Sequence, residues 1–262
     1  MKTLKIMMLA AIAVILASAC TEKIDLKIKN APPSLVIEGF VDDGPGPYYV
    51  LVSKSKLFTD NNNFEGVGGA TMVIGDDLGN TDTLTEVVAG LYLSNTIHGN
   101  VGHTYYLHAT VEGTTYQSQS TMPPPVDIDS VLLSSETEFN GDIHNEANIE
   151  VQDPAGVRNF YRITCTKNSS PSSGFNVHRD RLWDGKLRTF SVPNDHFDSG
   201  DTLQINLQSI DEAAFTYFNQ FNQNQDNFGA PAAPANPDPV FVPAALGYFS
   251  AHSVKSRTVI IP

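Results

Sequence analysis

The stretch HTYYLHATVEGTTYQSQST, residues 103–121, gives the clearest indication of fold in the chain. Apolar and polar positions alternate along it, and alternating residues fall on opposite faces of an extended strand. Five residues share one face of the first strand: His103, Tyr105, Leu107, Ala109 and Val111. Gly113 then turns the chain into TTYQSQST. The stretch therefore predicts two β-strands joined by a short turn.

The same two-residue period extends towards the N-terminus. SLVIEGFV (34–41), PYYVLVS (47–53) and ATMVIG (70–75) are the next clear strands, and turn sequences rich in Gly, Asn and Asp separate them. About seven short strands within roughly 100 residues are typical of a β-sandwich of immunoglobulin or fibronectin type. No Cys–Trp–Cys pattern accompanies them, so this prediction for residues 34–122 concerns architecture alone.

The prolines Pro123–Pro125 interrupt the pattern and indicate a domain boundary, because proline cannot donate to a β-ladder. Residues 127–262 predict a second β-rich domain, which closes with strands at GYFSAHS (247–253) and SRTVIIP (256–262). DEAAFTYFNQFNQ (211–223) has helical spacing, with Asp211 as the expected N-cap. The predicted fold is mainly β, with two sandwich-like domains and one short helix in the C-terminal domain.

The N-terminus predicts export. Lys2 and Lys5 precede an uncharged run of 12 residues, 6–17, which is too short for a spanning helix and fits a signal peptide. The small residues before Cys20 resemble the bacterial lipobox, which predicts a signal peptide at 1–19, a lipid on Cys20 and a lipidated tether at 20–33. The alternative is a plain cleaved signal peptide, in which case a Cys20–Cys165 disulfide becomes an option.

The charge balance is strongly acidic, at −13 for the whole chain. Removal of residues 1–19 takes away Lys2 and Lys5 and no acid, which leaves 14 basic and 29 acidic residues and a net charge of −15. Such a surface argues against binding nucleic acid, which requires basic patches. Cys165 lies in NFYRITCT on the apolar face of a strand, where a buried free thiol is expected.

Catalytic and cofactor motifs are missing from the sequence. The histidines have no zinc-protease spacing, and neither a Gly-x-Ser-x-Gly elbow nor a phosphate-binding glycine loop is present. Three acidic pairs occur, Asp42–Asp43, Asp76–Asp77 and Asp127/Asp129, and two of them lie in turn sequences beside glycine, which explains those two better than calcium ligation. The sequence predicts no catalytic residue, metal or cofactor, and an enzyme is a remote alternative.

Three aromatic residues are candidates for contact with a ligand or a protein partner. Trp183, the single tryptophan, lies in RDRLWDGK and would suit stacking on a sugar ring, although burial is the commoner fate of such a residue. Phe228 and Phe241 lie in the proline- and amide-rich segment 222–243, and long segments without regular pattern are often functional or disordered.

The order of several motifs resembles the exported lipoproteins of Bacteroidota grouped as domain-of-unknown-function family 4249. The shared motifs are the lipobox, LVIEGFVDDGPGPYYVLVSKS, GATMVIGDDLGN with GLYLSN, GHTYYLHATVEGTTYQSQSTMP, IDSV, GDTLQINLQSID with the aromatic helix, and PANP followed by LGYFSAHS. The resemblance covers essentially the whole mature chain. It implies no catalytic residue, and Cys20 is the one position for which it implies a chemical role.

The resemblance also implies a setting and a partner. Such proteins are outer-membrane lipoproteins that accompany TonB-dependent receptors, so we expect an accessory binding subunit for nutrient uptake, anchored by the lipid on Cys20. Its location would be the cell surface or the periplasmic face of the outer membrane. The alternative function is a surface glycan-binding module in which Trp183 contacts the sugar.

Overall fold

The computed structural model describes residues 33–56, 65–137, 143–172, 175–193, 197–225 and 236–262. Cys20 and Phe228 lie outside these ranges, as do the predicted signal peptide and nearly all of the predicted tether. The described chain is mainly β with a single helix, as the sequence predicts, and its packed sheets are sandwich-like. No helix among the described residues is long and apolar enough to cross a membrane.

The strands of the first half are short and regular, and residues 103–121 form the predicted pair. Their bounds are β1 Leu35–Asp42, β2 Tyr49–Lys54, β3 Thr71–Asp76, β4 Thr81–Thr83, β5 Thr85–Val88, β6 Leu91–Leu93, β7 Thr104–Val111 and β8 Thr114–Thr121. Tyr105, Leu107, Ala109 and Val111 are buried, so the alternation that predicted β7 also identifies its core face.

The described residues of the second half form eight strands and the helix. Their bounds are β9 Ser130–Thr137, β10 Ile143–Gln152, β11 Phe160–Lys167, β12 Ser170–Pro171, β13 Asn176–Arg179, β14 Leu187–Ser191, β15 Thr202–Ser209, α1 Glu212–Gln225 and β16 Leu246–Ile260. Cys165 on β11 is a buried free thiol, as predicted, and burial raises the pKa of this thiol to about 11.

The described strands form three sheets. A nine-stranded sheet has the order β12-β11-β15-β16-β1-β2-β6-β5, with β13 also paired to β11. A four-stranded sheet, β4-β3-β7-β8, shares one core with the β1 and β2 end of the large sheet, and a three-stranded sheet, β14-β10-β9, shares a second core with β11 and β15. The aromatic side of α1 forms a third, smaller cluster that includes Phe160 and Ile210.

Strand β16 differs from the prediction. Two closing strands, 247–253 and 256–262, were expected, but one continuous strand runs from Leu246 to Ile260. Residues 246–252 pair in parallel with β1, and residues 253–260 pair antiparallel with β15. The strand changes partner where the sequence pattern suggested a break, so no turn is needed there.

The change of partner also bears on the domain prediction. The boundary at Pro123–Pro125 falls between the strands of the two larger cores, and the division into domains 34–122 and 127–262 stays a prediction. Phe241, Phe249 and Ala251, all from the C-terminal half of the chain, lie in the core shared by β1 and β2. The C-terminal segment therefore contributes to both cores.

Gly247 permits the close approach of β16 to β1. Its φ is +100°, a region that favours glycine, and a Cβ at this position would lie 2.0 Å from the carbonyl oxygen of Ile37. No side chain can occupy that space unless one of the two strands moves.

We therefore expect Gly247→Ala to lower the free energy of unfolding by more than about 3 kcal/mol, measured by urea denaturation. Gly79→Ala is the matched control, because Gly79 has a φ of +89° but no atom within 4 Å of the added Cβ. The unfolding free energy of the control should fall by only about 1–2 kcal/mol, which is the cost of placing alanine in the left-handed backbone region. Equal losses in the two variants would show that the contact with Ile37 is unimportant.

Asp211 connects the helix to two sheets. Its Oδ1 accepts the N–H of Ala214 at 2.8 Å, which confirms the predicted N-cap. Its Oδ2 accepts the hydroxyl of Ser120 at 2.6 Å, and the same hydroxyl oxygen accepts the N–H of Ala251 at 2.8 Å. One carboxylate thus joins the start of α1, the end of β8 and the middle of β16.

A double-mutant cycle on Asp211→Ala and Ser120→Ala tests this connection. We expect each variant to lose about 1–3 kcal/mol of unfolding free energy, and the double variant to lose at least about 1 kcal/mol less than their sum. Asp211→Ala combined with Thr85→Ala, which shares no hydrogen-bond partner with Asp211, should be additive. Additivity in both pairs would refute the connection.

Candidate functional site

The outer face of the large sheet, where β16, β1 and β2 run side by side, carries an unusual row of side chains. On β1, Ile37 and Val41 point into the core, so Glu38 and Phe40 point to the other face. Glu38 is paired in register with Tyr248 of β16 on one side and with Leu51 of β2 on the other. A carboxyl group thus lies among aromatic and aliphatic side chains in the middle of a sheet.

Arg162 reaches the same face from β11. Its guanidinium lies over the rings of Phe175 and Phe218, with its carbon 5.0 and 4.6 Å from the ring centroids. Phe218 comes from α1, whose aromatic spacing places Tyr217 and Phe218 against the ring of Tyr248. The helix therefore packs on the sheet, and it also forms one wall beside Arg162.

The hydrogen bonds of Arg162 are incomplete. Nη1 donates to the Gln208 Oε1 at 3.4 Å, and the side chain also bonds to the Tyr248 hydroxyl, while the buried Nε has no hydrogen-bond partner. No ion pair joins Arg162 to a carboxylate in the described ranges, although Glu38 is near enough to act on its charge. Burial lowers the pKa of Arg162, and burial raises the pKa of Glu38.

This arrangement costs stability. Burying a guanidinium is unfavourable unless acceptors replace the lost water, and arginine offers five donor hydrogens. The two aromatic faces recover part of that cost through cation–π attraction. Because the buried Nε has no hydrogen-bond partner, Arg162 is the most conspicuous charged group of this face.

Arg162 opens onto a polar cavity of about 290 Å³. Hydroxyl, amide and aromatic side chains, the carboxyl of Asp42 and the imidazole of His252 share this cavity with the guanidinium, and they come from β1, β2, β11, β15, β16 and the end of β12. The lining includes Phe40, Asp42, Tyr49, Thr164, Ser172, Gln208, Tyr248 and His252. We call this space the Arg162 cavity.

A larger cavity, of about 550 Å³, lies between the sheet and the far end of α1. Its lining is mostly apolar and includes Val36, Leu51, Val88, Leu91, Tyr217, Phe221, Pro237 and Leu246. Leu51 and Val88 are 38% and 61% exposed, so the cavity is open to solvent on the β2 and β5 side. Glu38 is the one carboxyl among its described lining residues. We call this space the apolar cavity.

The two cavities are consecutive along the strands. On β16, Leu246 lines the apolar cavity and Tyr248 lines the Arg162 cavity. On β2, Leu51 lines the apolar cavity and Tyr49 lines the Arg162 cavity. Residues two apart on a strand are separated by about 7 Å, so the cavities lie next to each other on one face. The candidate functional site is this pair of cavities.

The sequence-predicted contact residues lie elsewhere. Phe241 is 1% exposed in the core shared by β1 and β2, so its ring is not available for surface contact and that prediction is corrected. The segment after α1 looked irregular in sequence, but at Phe241 the chain enters the core because a bulky aromatic ring there fills space between sheets. Phe228 and Cys20 lie outside the described residues, so those predictions are not tested.

Trp183 is half-buried beside the second core. Its ring stacks on Tyr161 at 5.8 Å and meets Phe190 edge-on at 5.3 Å. Tyr161 therefore covers one face of the indole, and the glycan hypothesis stays a prediction.

The surroundings of Trp183 hold three carboxylates that the sequence reasoning missed. Oxygens of Asp153, Asp180 and Asp184 lie within 4.8 Å of one another. Asp153 accepts the Tyr161 hydroxyl at 2.5 Å and the Gly185 N–H at 3.0 Å, and Asp180 accepts the Asn159 N–H at 2.8 Å. These donors account for the burial of both groups. The signal was present as aspartates on either side of RLW in RDRLWDGK.

The acidic pairs singled out in the sequence form turns and isolated contacts. Asp76 accepts the N–H groups of Leu78 and Asn80, as expected of aspartate in a turn. Asp77 pairs with His103 at 2.7 Å, and Asp127 lies 3.7 Å from Lys255. None of these pairs takes part in the three-carboxylate group.

Fold and site together define a sandwich-like β protein with two adjoining cavities on the outer face of its large sheet. The chain belongs to the family described as Domain of unknown function (DUF4249), which matches residues 21–258. Among solved structures, the chicken interferon gamma receptor alpha chain is similar at 10% identity, with a TM-score of 0.21, over 69% of this chain and 90% of that one. No curated protein matches the chain.

His252 lines the Arg162 cavity and should make stability depend on pH. Burial, reinforced by the charge of Arg162, lowers the pKa of His252 to about 3, against an ordinary value of 6.5. Below pH 6.5 the imidazole of His252 therefore binds a proton in the unfolded chain but not in the folded chain. The free energy of unfolding falls as the pH drops below 6.5.

Between pH 7 and pH 5 this histidine should remove about 2 kcal/mol of unfolding free energy. We expect His252→Gln to lose that share of the pH dependence, because carboxylates contribute equally to both proteins. The measurement is urea denaturation of both proteins at the two pH values. Identical pH dependence in the two proteins would mean that the folded and unfolded chains bind a proton at His252 equally readily, so that its pKa is not lowered in the fold.

Proposed function

We propose that the protein is an exported, lipid-anchored and non-catalytic binding subunit that serves a TonB-dependent nutrient transporter at the outer membrane. The lipid on Cys20 would hold it to the membrane, and the paired cavities on the large sheet would receive the ligand. The observation that carries the binding role is Arg162, a largely buried cation that opens onto a cavity and whose Nε has no hydrogen-bond partner.

The chemistry around Arg162 favours binding over catalysis. General acids and bases work best with a pKa near the operating pH. In the Arg162 cavity, burial lowers the pKa of His252 to about 3 and raises the pKa of Tyr248 to about 12. Neither group would exchange protons readily near neutral pH, whereas both can donate or accept fixed hydrogen bonds to a bound molecule.

The membrane and transporter parts of the proposal rest on the sequence. The uncharged run 6–17 and the small residues before Cys20 support export and acylation. Two or three acyl chains would give stable anchoring, since each buried methylene contributes about 0.8 kcal/mol. Membership of the family is compatible with this role, and the transporter partnership extends the resemblance to accessory lipoproteins.

The test follows the tagged full chain in native membranes of a bacterium that carries it. We expect labelled fatty acid to be incorporated and the protein to sediment with outer membranes, and Cys20→Ala to abolish both. Cys165→Ala is the matched control, because the Cys165 thiol is buried and should leave labelling unchanged.

Co-purification from the same membranes tests the partnership. A TonB-dependent receptor should accompany the intact protein in stoichiometric amount. Labelling of the Cys20→Ala variant would overturn the anchor, and absence of any receptor from the purified material would overturn the transporter role.

A further inference from the structure

We infer that the paired cavities bind an amphiphilic monocarboxylate, with its carboxylate on Arg162 and its apolar body in the apolar cavity. This inference rests on the proposed binding function and goes beyond it by naming the ligand's chemistry. It uses both cavities, because the charged Arg162 lies in one of them and the apolar lining lies in the other.

The carboxylate is inferred from what Arg162 lacks. The guanidinium is a planar fork whose donors match the two oxygens of a carboxylate. Phe175 and Phe218, whose rings stack on each other at 4.7 Å, lie on one side of it, and its acceptors among the described residues are one amide oxygen at 3.4 Å and one phenol. A ligand carboxylate on the cavity side of the guanidinium supplies the missing counter-charge.

Glu38 explains why the site is not already neutralised. It is near enough to influence Arg162, yet the two make no ion pair, and burial disfavours its charged form. Glu38 therefore competes weakly with any anion that approaches Arg162. The charge that Glu38 retains repels a second carboxylate beside Arg162, so Glu38→Gln should strengthen ligand binding.

The apolar body is inferred from the second cavity. Its volume of about 550 Å³ lies within the range of small-molecule sites, roughly 300–1,000 Å³. Aliphatic side chains from β1, β2, β5 and β16 form its floor, and Phe221 of α1 lies opposite them. An exposed apolar surface of this kind gains free energy when a hydrocarbon displaces its water.

The joint requirement follows from the adjacency of the cavities. One two-residue step, about 7 Å, separates Leu246 from Tyr248 and Leu51 from Tyr49, so a single short-chain molecule can span both. An uncharged amphiphile would give Arg162 no carboxylate partner. A short-chain acid would leave water in the apolar cavity. Tight binding therefore needs both parts in one molecule.

Decanoate is the probe, measured by calorimetry on the full chain carrying Cys20→Ser, which removes the acylation site so that no detergent competes for the apolar cavity. We expect saturable binding of one decanoate per chain. Decanol should bind at least about 10-fold more weakly, because it lacks the charge, and butyrate at least about 100-fold more weakly, because it lacks most of the methylenes.

Variants separate the two halves of the site. Arg162→Gln should weaken decanoate binding at least about 10-fold, and Glu38→Gln should strengthen it. Val88→Asp, at an exposed position on the rim of the apolar cavity, should weaken it about 10-fold without unfolding the protein. Leu132→Asp on β9 is the matched control, 43% exposed and outside both cavities, and should bind like the parent.

Several outcomes would overturn the inference: no decanoate binding, equal affinity for decanol, or an unchanged affinity in a folded Arg162→Gln or Val88→Asp variant. Because Arg162→Gln loses a buried group, its fold is checked by circular dichroism, and Val88→Asp provides the independent test if it unfolds. Failure here with a receptor still co-purifying would reject the ligand class and leave the proposed function standing.

Discussion

The hydrogen bonding of β16 is the constraint on which the rest of the structure depends. Its first seven register pairs are with β1 and its last eight are with β15, so this strand alone unites the two ends of the large sheet. Backbone groups buried between sheets must be paired, and a strand that lost either partner would leave a row of them unpaired. Gly247 and the Asp211–Ser120 contact both secure this strand, one by close approach and one by a side-chain bridge.

The repeated two-residue pattern was sufficient to predict most of the strands and the fold class. Burial of alternate residues on β7 follows directly from the sequence, and so does the helix with Asp211 as its cap. The join between 247–253 and 256–262 was not predictable, because continuity of β16 depends on which strands lie beside it. Pairing partners are a long-range property that local periodicity does not contain.

The site was harder to predict than the fold for the same reason. Arg162 and Glu38 are 124 residues apart in sequence and each sits in an ordinary strand, FYRITCT and SLVIEGFV. A charged residue in an apolar strand is a local signal that could have marked both. Their convergence on one face required the order β11-β15-β16-β1, which only the structure supplies. Phe241 failed as a surface candidate because its segment's irregular composition says nothing about a single ring that enters the core.

The position of the site follows from the partner change of β16. β15 ends at Ser209, paired with Ser253, so it does not continue beside residues 246–252. The chain turns there into α1, which packs Tyr217 and Phe218 on the Tyr248 side chain, on the outer face of the sheet. The helix covers only the part of this face beside Tyr248. The two cavities lie on the part that it leaves open, and Arg162 from β11 lines the smaller of them.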